Sequence, residues 1–102
     1  MTNIIIGTTP TIIYKFSIVS PSDFRTAILT IKNQSEIIIE KTLADAFTGE
    51  DFLSWTLTQE ETLLIGTRSC KMMLNWVTRS GKRGASTETV IIGVTNHKRE
   101  VI

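Results

Sequence analysis

The chain has 102 residues, the size of one domain, and a domain of this length buries roughly two thirds of the surface that its unfolded form exposes. Its composition is 41% hydrophobic and 21% charged with a net charge of +1, which gives no field strong enough to steer the protein toward a polyanion. We therefore predict a single domain over residues 1–102 and expect no binding to nucleic acid.

The cysteine count and the first residues bear on location. Cys70 is the only cysteine, so an internal disulfide is impossible, and a reducing environment fits better than a secreted, disulfide-bonded scaffold. The stretch MTNIIIGTTP has no basic region of the kind that opens a signal peptide, and no apolar run approaches the roughly 18 residues of a membrane helix. We expect a soluble protein without a targeting signal or a membrane partner.

The first part of the chain alternates apolar and polar residues in the manner of β-strands. A short run at Ile4 to Ile6 is soon followed by Pro10, which cannot donate to a ladder and therefore favours an edge strand. Three period-two runs come next, with turn-forming residues between them: TIIYKFSIV, RTAILTIKN and EIIIEKTL. In the last run we expect Ile37 and Ile39 to share one face and Ile38 to lie on the other.

A further alternating run, FLSWTLT, follows, and the stretch TQEET, Thr58 to Thr62, interrupts the alternation. Thr58 and Glu61 have the spacing of a capping box, in which the Thr58 hydroxyl accepts from the amide of Glu61 and the Glu61 carboxylate reaches back to the amide of Thr58. We predict one short helical turn near residues 59–64, ended by Gly66 in the left-handed conformation. This turn is expected to carry the chain from one sheet to the other.

The longest alternating run, TRSCKMMLNWVTR, follows this turn. One of its faces carries Cys70, Met72, Leu74 and Trp76. The loop SGKRG then leads to ASTETVIIGVTN, in which Val90, Ile92 and Val94 are in phase, and HKREVI is a charged tail. The total is about seven antiparallel strands with no helical pattern long enough for a βαβ crossover, which predicts an all-β, two-sheet sandwich.

Four segments in this order resemble small immunoglobulin-like proteins encoded in phages and prophages of Firmicutes: GTTPTIIYKF, AILTIKNQSEIIIEK, LSWTLTQEETLLI and KMMLNWVTRSGKRGAS. They are also similar, more distantly, to the immunoglobulin-like N-terminal domain of the phage baseplate upper protein. The resemblance runs from about Ile5 to about Val94. Its most specific part is L-T-Q-E-E-T, Leu57 to Thr62, followed by a W-x-T-x-x-G-K hairpin at Trp76 to Lys82. It implies an immunoglobulin-like β-sandwich in a virion or tail-associated assembly, and it brings no active-site residues.

Enzyme chemistry is not predicted. Glu60 and Glu61 are adjacent on one helical turn and diverge, whereas glycosidase carboxylates face each other across a substrate. His97 is the sole histidine and is not expected to meet Cys70, so no set of three or four metal ligands converges. We predict no catalytic residue, no metal site, no cofactor and no small-molecule substrate.

Apolar residues on the polar phase of the strands indicate an interface. If each strand buries only one face, apolar side chains on the second face form an exposed patch, and such patches mark binding surfaces. The alternative is that a β-bulge or a misassigned phase turns one or two of these residues inward. The predicted interface residues are Ile28, Ile38, Met73, Val77 and Ile91.

The SGKRG hairpin carries a basic cluster. Arg79, Lys82 and Arg83 could contact an acidic partner surface, and a solvated hairpin tip explains them equally well; Lys98 and Arg99 add charge in the tail. No aromatic residue interleaves with these cations, as a stacking platform for nucleic acid would require.

The tryptophans help to separate two functional hypotheses. Trp55 and Trp76 lie in phase with apolar stripes, which favours core positions over exposed stacking surfaces. We predict a non-enzymatic structural module that binds phage tail proteins or copies of itself through edge strands and an apolar face. It would reside in the virion, or in the host cytoplasm during assembly. The alternative is a carbohydrate- or cell-surface-binding accessory module, which would need exposed tryptophans.

Overall fold

The alternating runs form strands in the structure, a computed structural model that describes residues 2–96. The strands are β1 (Thr2–Ile5), β2 (Thr11–Lys15), β3 (Phe24–Asn33), β4 (Glu36–Thr42), β5 (Phe47–Thr48), β6 (Phe52–Thr56), β7 (Ser69–Thr78), β8 (Arg83–Ala85) and β9 (Thr89–Val94). The helix α1 (Gln59–Ile65) lies between β6 and β7, and two short 3-10 turns cover Pro21–Asp23 and Leu43–Asp45. The sequence predicted about seven strands. The two additional strands, β5 and β8, have only two and three residues, which is too short for an alternating pattern.

The strands form two sheets that pack face to face. The larger sheet has the order β1-β9-β7-β3-β4, with β8 also paired to β7, and the smaller sheet has the order β2-β6-β5. Neighbouring strands are antiparallel except β1 and β9, which are parallel. The predicted all-β, two-sheet sandwich with one short helix is confirmed. β1 lies at an edge, as Pro10 indicated.

Both sheets contribute apolar side chains to one core. Trp55 on β6 is 1% exposed, and its indole N–H donates to the carbonyl of Thr42 at 2.9 Å, so its polar group is satisfied. Cys70 is buried, as predicted. The other buried apolar residues are Ile4, Phe24, Ala27, Leu29, Ile31, Ile39, Leu53, Leu57, Ile65, Met72, Leu74 and Ile91.

A β-bulge in β4 overturns the predicted phase of that strand. Ile31 of β3 pairs with Ile39, but the next residue, Lys32, pairs with Ile37, so Ile38 is an extra residue on β4. Ile39 is therefore buried while Ile37 is 53% exposed, and the prediction that these two share a face is wrong. Ile38 is half-buried and packs against the core.

The predicted phase of β9 is also wrong. Ile91 pairs with Cys70 and is fully buried, whereas Val90 and Val94 are exposed. Gly93 fixes this phase: it faces inward, and a Cβ on it would overlap the carbonyl oxygen of Gly66. With Val90, Ile92 and Val94 on one face, the sequence pattern favours the opposite phase. However, the backbone of β9 lies so close to the Gly66 carbonyl that only a residue without a side chain fits at position 93.

The helix α1 begins with the predicted capping box. The Glu61 amide donates to Thr58 Oγ1 at 3.1 Å, and the Thr58 amide donates to Glu61 Oε1 at 2.8 Å. Lys41 Nζ lies 2.9 Å from the same carboxylate. Partial burial alone would raise the pKa of Glu61, but the bonds from the Thr58 amide and Lys41 outweigh it and hold the pKa below its ordinary value. At the other end Gly66 has the expected positive φ of 62° with ψ of −157°, an extended rather than a helical left-handed conformation.

Thr62 ties α1 to the segment between β1 and β2. It is fully buried, and its hydroxyl accepts from the amide of Gly7 at 2.9 Å. The hydroxyl also lies 3.1 Å from the carbonyl oxygen of Thr8 and 2.9 Å from that of Gln59, to which it can donate. The interrupting stretch therefore closes one end of the sandwich with polar bonds as well as with the apolar side chain of Ile65.

Candidate protein-protein interface

The outward-facing residues of β3 and β7 carry three of the five predicted interface residues. The register places Thr26 opposite Val77, Ile28 opposite Asn75, and Thr30 opposite Met73. Ile28, Met73 and Val77 are each partly exposed, because the facing sheet lies on the other side of these strands. We call this surface, centred on Ile28, Met73 and Val77, the outer face. Flat sheet surfaces with apolar side chains of this kind suit protein contacts.

A shallow groove of about 320 Å³ crosses one part of the outer face. Gly84 on β8 pairs with Trp76, and a Cβ at this position would overlap the indole ring, so the absence of a side chain lets the tryptophan lie across the strand. Apolar side chains and the cation Arg83 line the groove together. Its lining residues are Thr26, Ile28, Asn75, Trp76, Val77, Arg83 and Gly84.

The other two predicted interface residues do not join this surface. Ile91 is fully buried because it pairs with Cys70 on the core side of the sheet, so its assignment to an interface is wrong. Ile38, at the β4 bulge, packs partly against the core. The phase shift in β9 instead exposes Val94 and its parallel partner Ile5, which are 38% and 49% exposed. Recognising Gly93 as an inward residue would have identified Val94 from the sequence.

The basic cluster of the hairpin divides between two concavities. Arg83 borders the groove on the outer face, whereas Arg79 and Lys82 line a separate surface pocket of about 450 Å³ that Ile18 and Asp23 also border. All three cations are exposed, and within residues 2–96 none of them lies within 4.0 Å of a carboxylate. Arg83 is therefore free to meet an acidic group on a partner.

The tryptophans do not offer free stacking surfaces. Trp55 is enclosed in the core. The indole of Trp76 stacks on Phe24, with ring centres 5.7 Å apart, and meets Phe16 edge-on at 5.4 Å. Sugar-binding sites use open aromatic faces, so these contacts count against the carbohydrate-binding hypothesis.

The groups considered for chemistry lie apart. Glu60 is exposed at the start of α1, and Glu61 is held by its cap. Burial raises the pKa of the Cys70 thiol, with Arg68 opposing the shift, so the thiol is a poor nucleophile. Across residues 2–96 no three His, Cys, Asp or Glu side chains are grouped to hold a metal ion. His97, Lys98 and Arg99 lie outside the described residues.

Within residues 2–96, no helix is long enough and apolar enough to span a membrane. No protein-family model, curated protein or solved structure matches this chain significantly.

Proposed function

We propose that this chain is a non-enzymatic, structural protein-binding module of a phage or prophage tail or baseplate-type assembly, and that it docks through its outer face. The observation that carries the proposal is the groove in which Ile28 and Val77 remain partly exposed on β3 and β7, two neighbouring strands inside the larger sheet. The kind of assembly, a phage or prophage tail or baseplate, is inferred from the sequence resemblance. The protein would reside in the virion, or in the host cytoplasm while particles assemble.

The composition of the outer face suits a protein partner whose surface combines apolar and acidic side chains. A stable interface buries about 800 Å² on each side and combines an apolar centre with a polar rim. Ile28, Met73 and Val77 supply the centre, and the exposed cation Arg83 lines the groove beside them. The matching partner surface has an apolar side chain that enters the groove and a carboxylate that reaches Arg83.

Mass spectrometry of purified particles tests this function. Particles are prepared after induction of a lysogenic host that carries the gene, and the soluble lysate is collected as a separate fraction. We expect the chain to remain with the particles through purification, in a fixed ratio to the tail proteins. Recovery in the soluble fraction alone would remove the virion role and leave an accessory role inside the host.

A further inference from the structure

Among residues 2–96, the smaller sheet ends at the edge of β2, which pairs there with β6 alone. The amide of Phe16 donates to the carbonyl of Asp51 at 2.7 Å, and the amide of Leu57 donates to the carbonyl of Pro10 at 2.9 Å. In an antiparallel ladder the hydrogen-bonding direction alternates from residue to residue. Even-numbered residues of β2 therefore direct their backbone groups toward β6, and odd-numbered residues direct theirs away.

The outward-directed backbone groups belong to Thr11, Ile13 and Lys15, all of which are exposed. Exposed edges that present free N–H and C=O groups are templates for a further strand, and proteins usually block them with charges, proline or a covering segment. On β2 the only charged residue is Lys15, at its end, and Pro10 precedes the strand. The centre of the edge, at Ile13, is 56% exposed and carries neither a charge nor a proline.

An apolar groove of about 260 Å³ runs beside this edge, between the two sheets. β2 forms one wall, and residues of β1, β7 and β9 in the larger sheet form the other. The larger sheet is five strands wide against three in the smaller one, so the groove lies where a fourth strand would extend the smaller sheet. Its apolar lining residues are Ile4, Ile12, Ile13, Tyr14, Met72 and Ile91.

We propose that this edge and groove accept one extended strand from a protein partner. The backbone of that strand pairs with Thr11, Ile13 and Lys15, and its alternate apolar side chains enter the groove. An acidic residue near one end of the strand lies across from Lys15. Proline is absent from the positions whose amides face β2.

The occupant is a single strand and not the β2 edge of a second copy. Residues of β1 and β9 line the groove opposite β2, so a second copy would bring its own larger sheet toward this space when two β2 edges approach the spacing of about 4.8 Å between paired strands. A strand that projects from its own protein meets no such obstacle. This site lies on the smaller sheet and the outer face on the larger one, so a result against one of the two proposals does not contradict the other.

Selection from a library of linear peptides of about seven residues, an ordinary strand length, tests the site with the purified chain. We expect enriched peptides to carry apolar, mainly β-branched residues at every second position and an acidic residue near one end. Absence of enrichment, or enrichment without this alternation, would overturn the proposal.

The enriched peptide then separates edge pairing from other binding. Methylation of the backbone amides that face β2 should weaken binding at least about tenfold, although the side chains are unchanged. Thr2→Trp fills the groove from an exposed position, and Ile13→Pro removes an N–H that points away from β6; each should reduce binding as strongly. Thr48→Trp, at an exposed position on β5 at the opposite edge of the smaller sheet, is the control and should bind normally. Unchanged binding by both Thr2→Trp and Ile13→Pro would contradict the proposal.

Discussion

Replacing Thr62 by valine tests how the interrupting stretch holds one end of the sandwich. Valine keeps the shape of threonine but removes the hydroxyl, so the amide of Gly7 loses its acceptor and the carbonyl of Thr8 loses a donor. Thr62 is fully buried, and water cannot replace the hydroxyl without a rearrangement. An unsatisfied buried polar group costs about 1–3 kcal/mol, so we expect the free energy of unfolding to fall by about that amount. For a domain of this size each kcal/mol lowers Tm by about 4–8 °C.

Urea unfolding followed by circular dichroism, together with Tm, measures this effect. Thr62→Ser is the matched control because it keeps the hydroxyl and removes one methyl group, a loss of about 1 kcal/mol. We expect the lost hydrogen bonds to cost more than the lost methyl group, so the serine variant should be the more stable of the two. A valine variant that equals the wild type, or exceeds the serine variant, would refute the role of the hydroxyl.

Four further outcomes follow from the same contacts. Thr58→Ala should lower the free energy of unfolding by about 0.5–2 kcal/mol, and an unchanged Tm would refute the cap. The pKa of Glu61 is lowered on folding, so its contribution to stability is present above the unfolded pKa and is lost as pH falls through the folded pKa. The stability gap between wild type and Glu61→Gln should therefore shrink on acidification, whereas a gap independent of pH would show that the carboxylate charge is irrelevant. Gly93→Ala should destabilise by about 3 kcal/mol or more, because its Cβ overlaps the Gly66 carbonyl; thermal melts should show Val94→Ala, at an exposed neighbour, changing stability by only about 0.5 kcal/mol. Cys70 should react with a thiol reagent only as fast as the protein opens, and rapid modification of the native state would contradict its burial.

Local signals in the sequence were sufficient to predict α1. The capping box joins residues only three apart, Thr58 and Glu61, so the pattern contains all of the interacting groups. The buried hydroxyl of Thr62 could not be foreseen in the same way, because its partner Gly7 is distant along the chain.

The strand phases of β4 and β9 depend on contacts that are remote in sequence. Ile38 becomes a bulge through the register between β3 and β4, and Gly93 turns inward because α1 ends against it at Gly66. Neither the β3–β4 register nor the contact between Gly93 and Gly66 can be predicted from the alternation of residues within one strand. Three of the predicted interface residues, Ile28, Met73 and Val77, are partly exposed as expected, because the phases predicted for β3 and β7 are the ones that the structure has.

The open edge of β2 had no signal in the sequence. TIIYK alternates as well as any paired strand. Only the assignment of strands to the two sheets shows that one side of β2 has no neighbouring strand within the described part of the chain. Sheet order is set by packing of the whole chain, so a single run cannot reveal which of its sides is paired.

Two matched threonine variants test most directly whether the outer face docks the chain in an assembly. Thr26 and Thr56 are both exposed on strands, but Thr26 lines the groove of the larger sheet and Thr56 lies on the smaller sheet. Thr26→Asp places a charge in the groove and competes for Arg83, whereas Thr56→Asp adds the same charge on the opposite side. The measurement is the amount of each variant in purified particles, relative to the tail proteins. We predict depletion of Thr26→Asp by at least about tenfold with Thr56→Asp retained; equal retention of the two variants would contradict docking through the outer face.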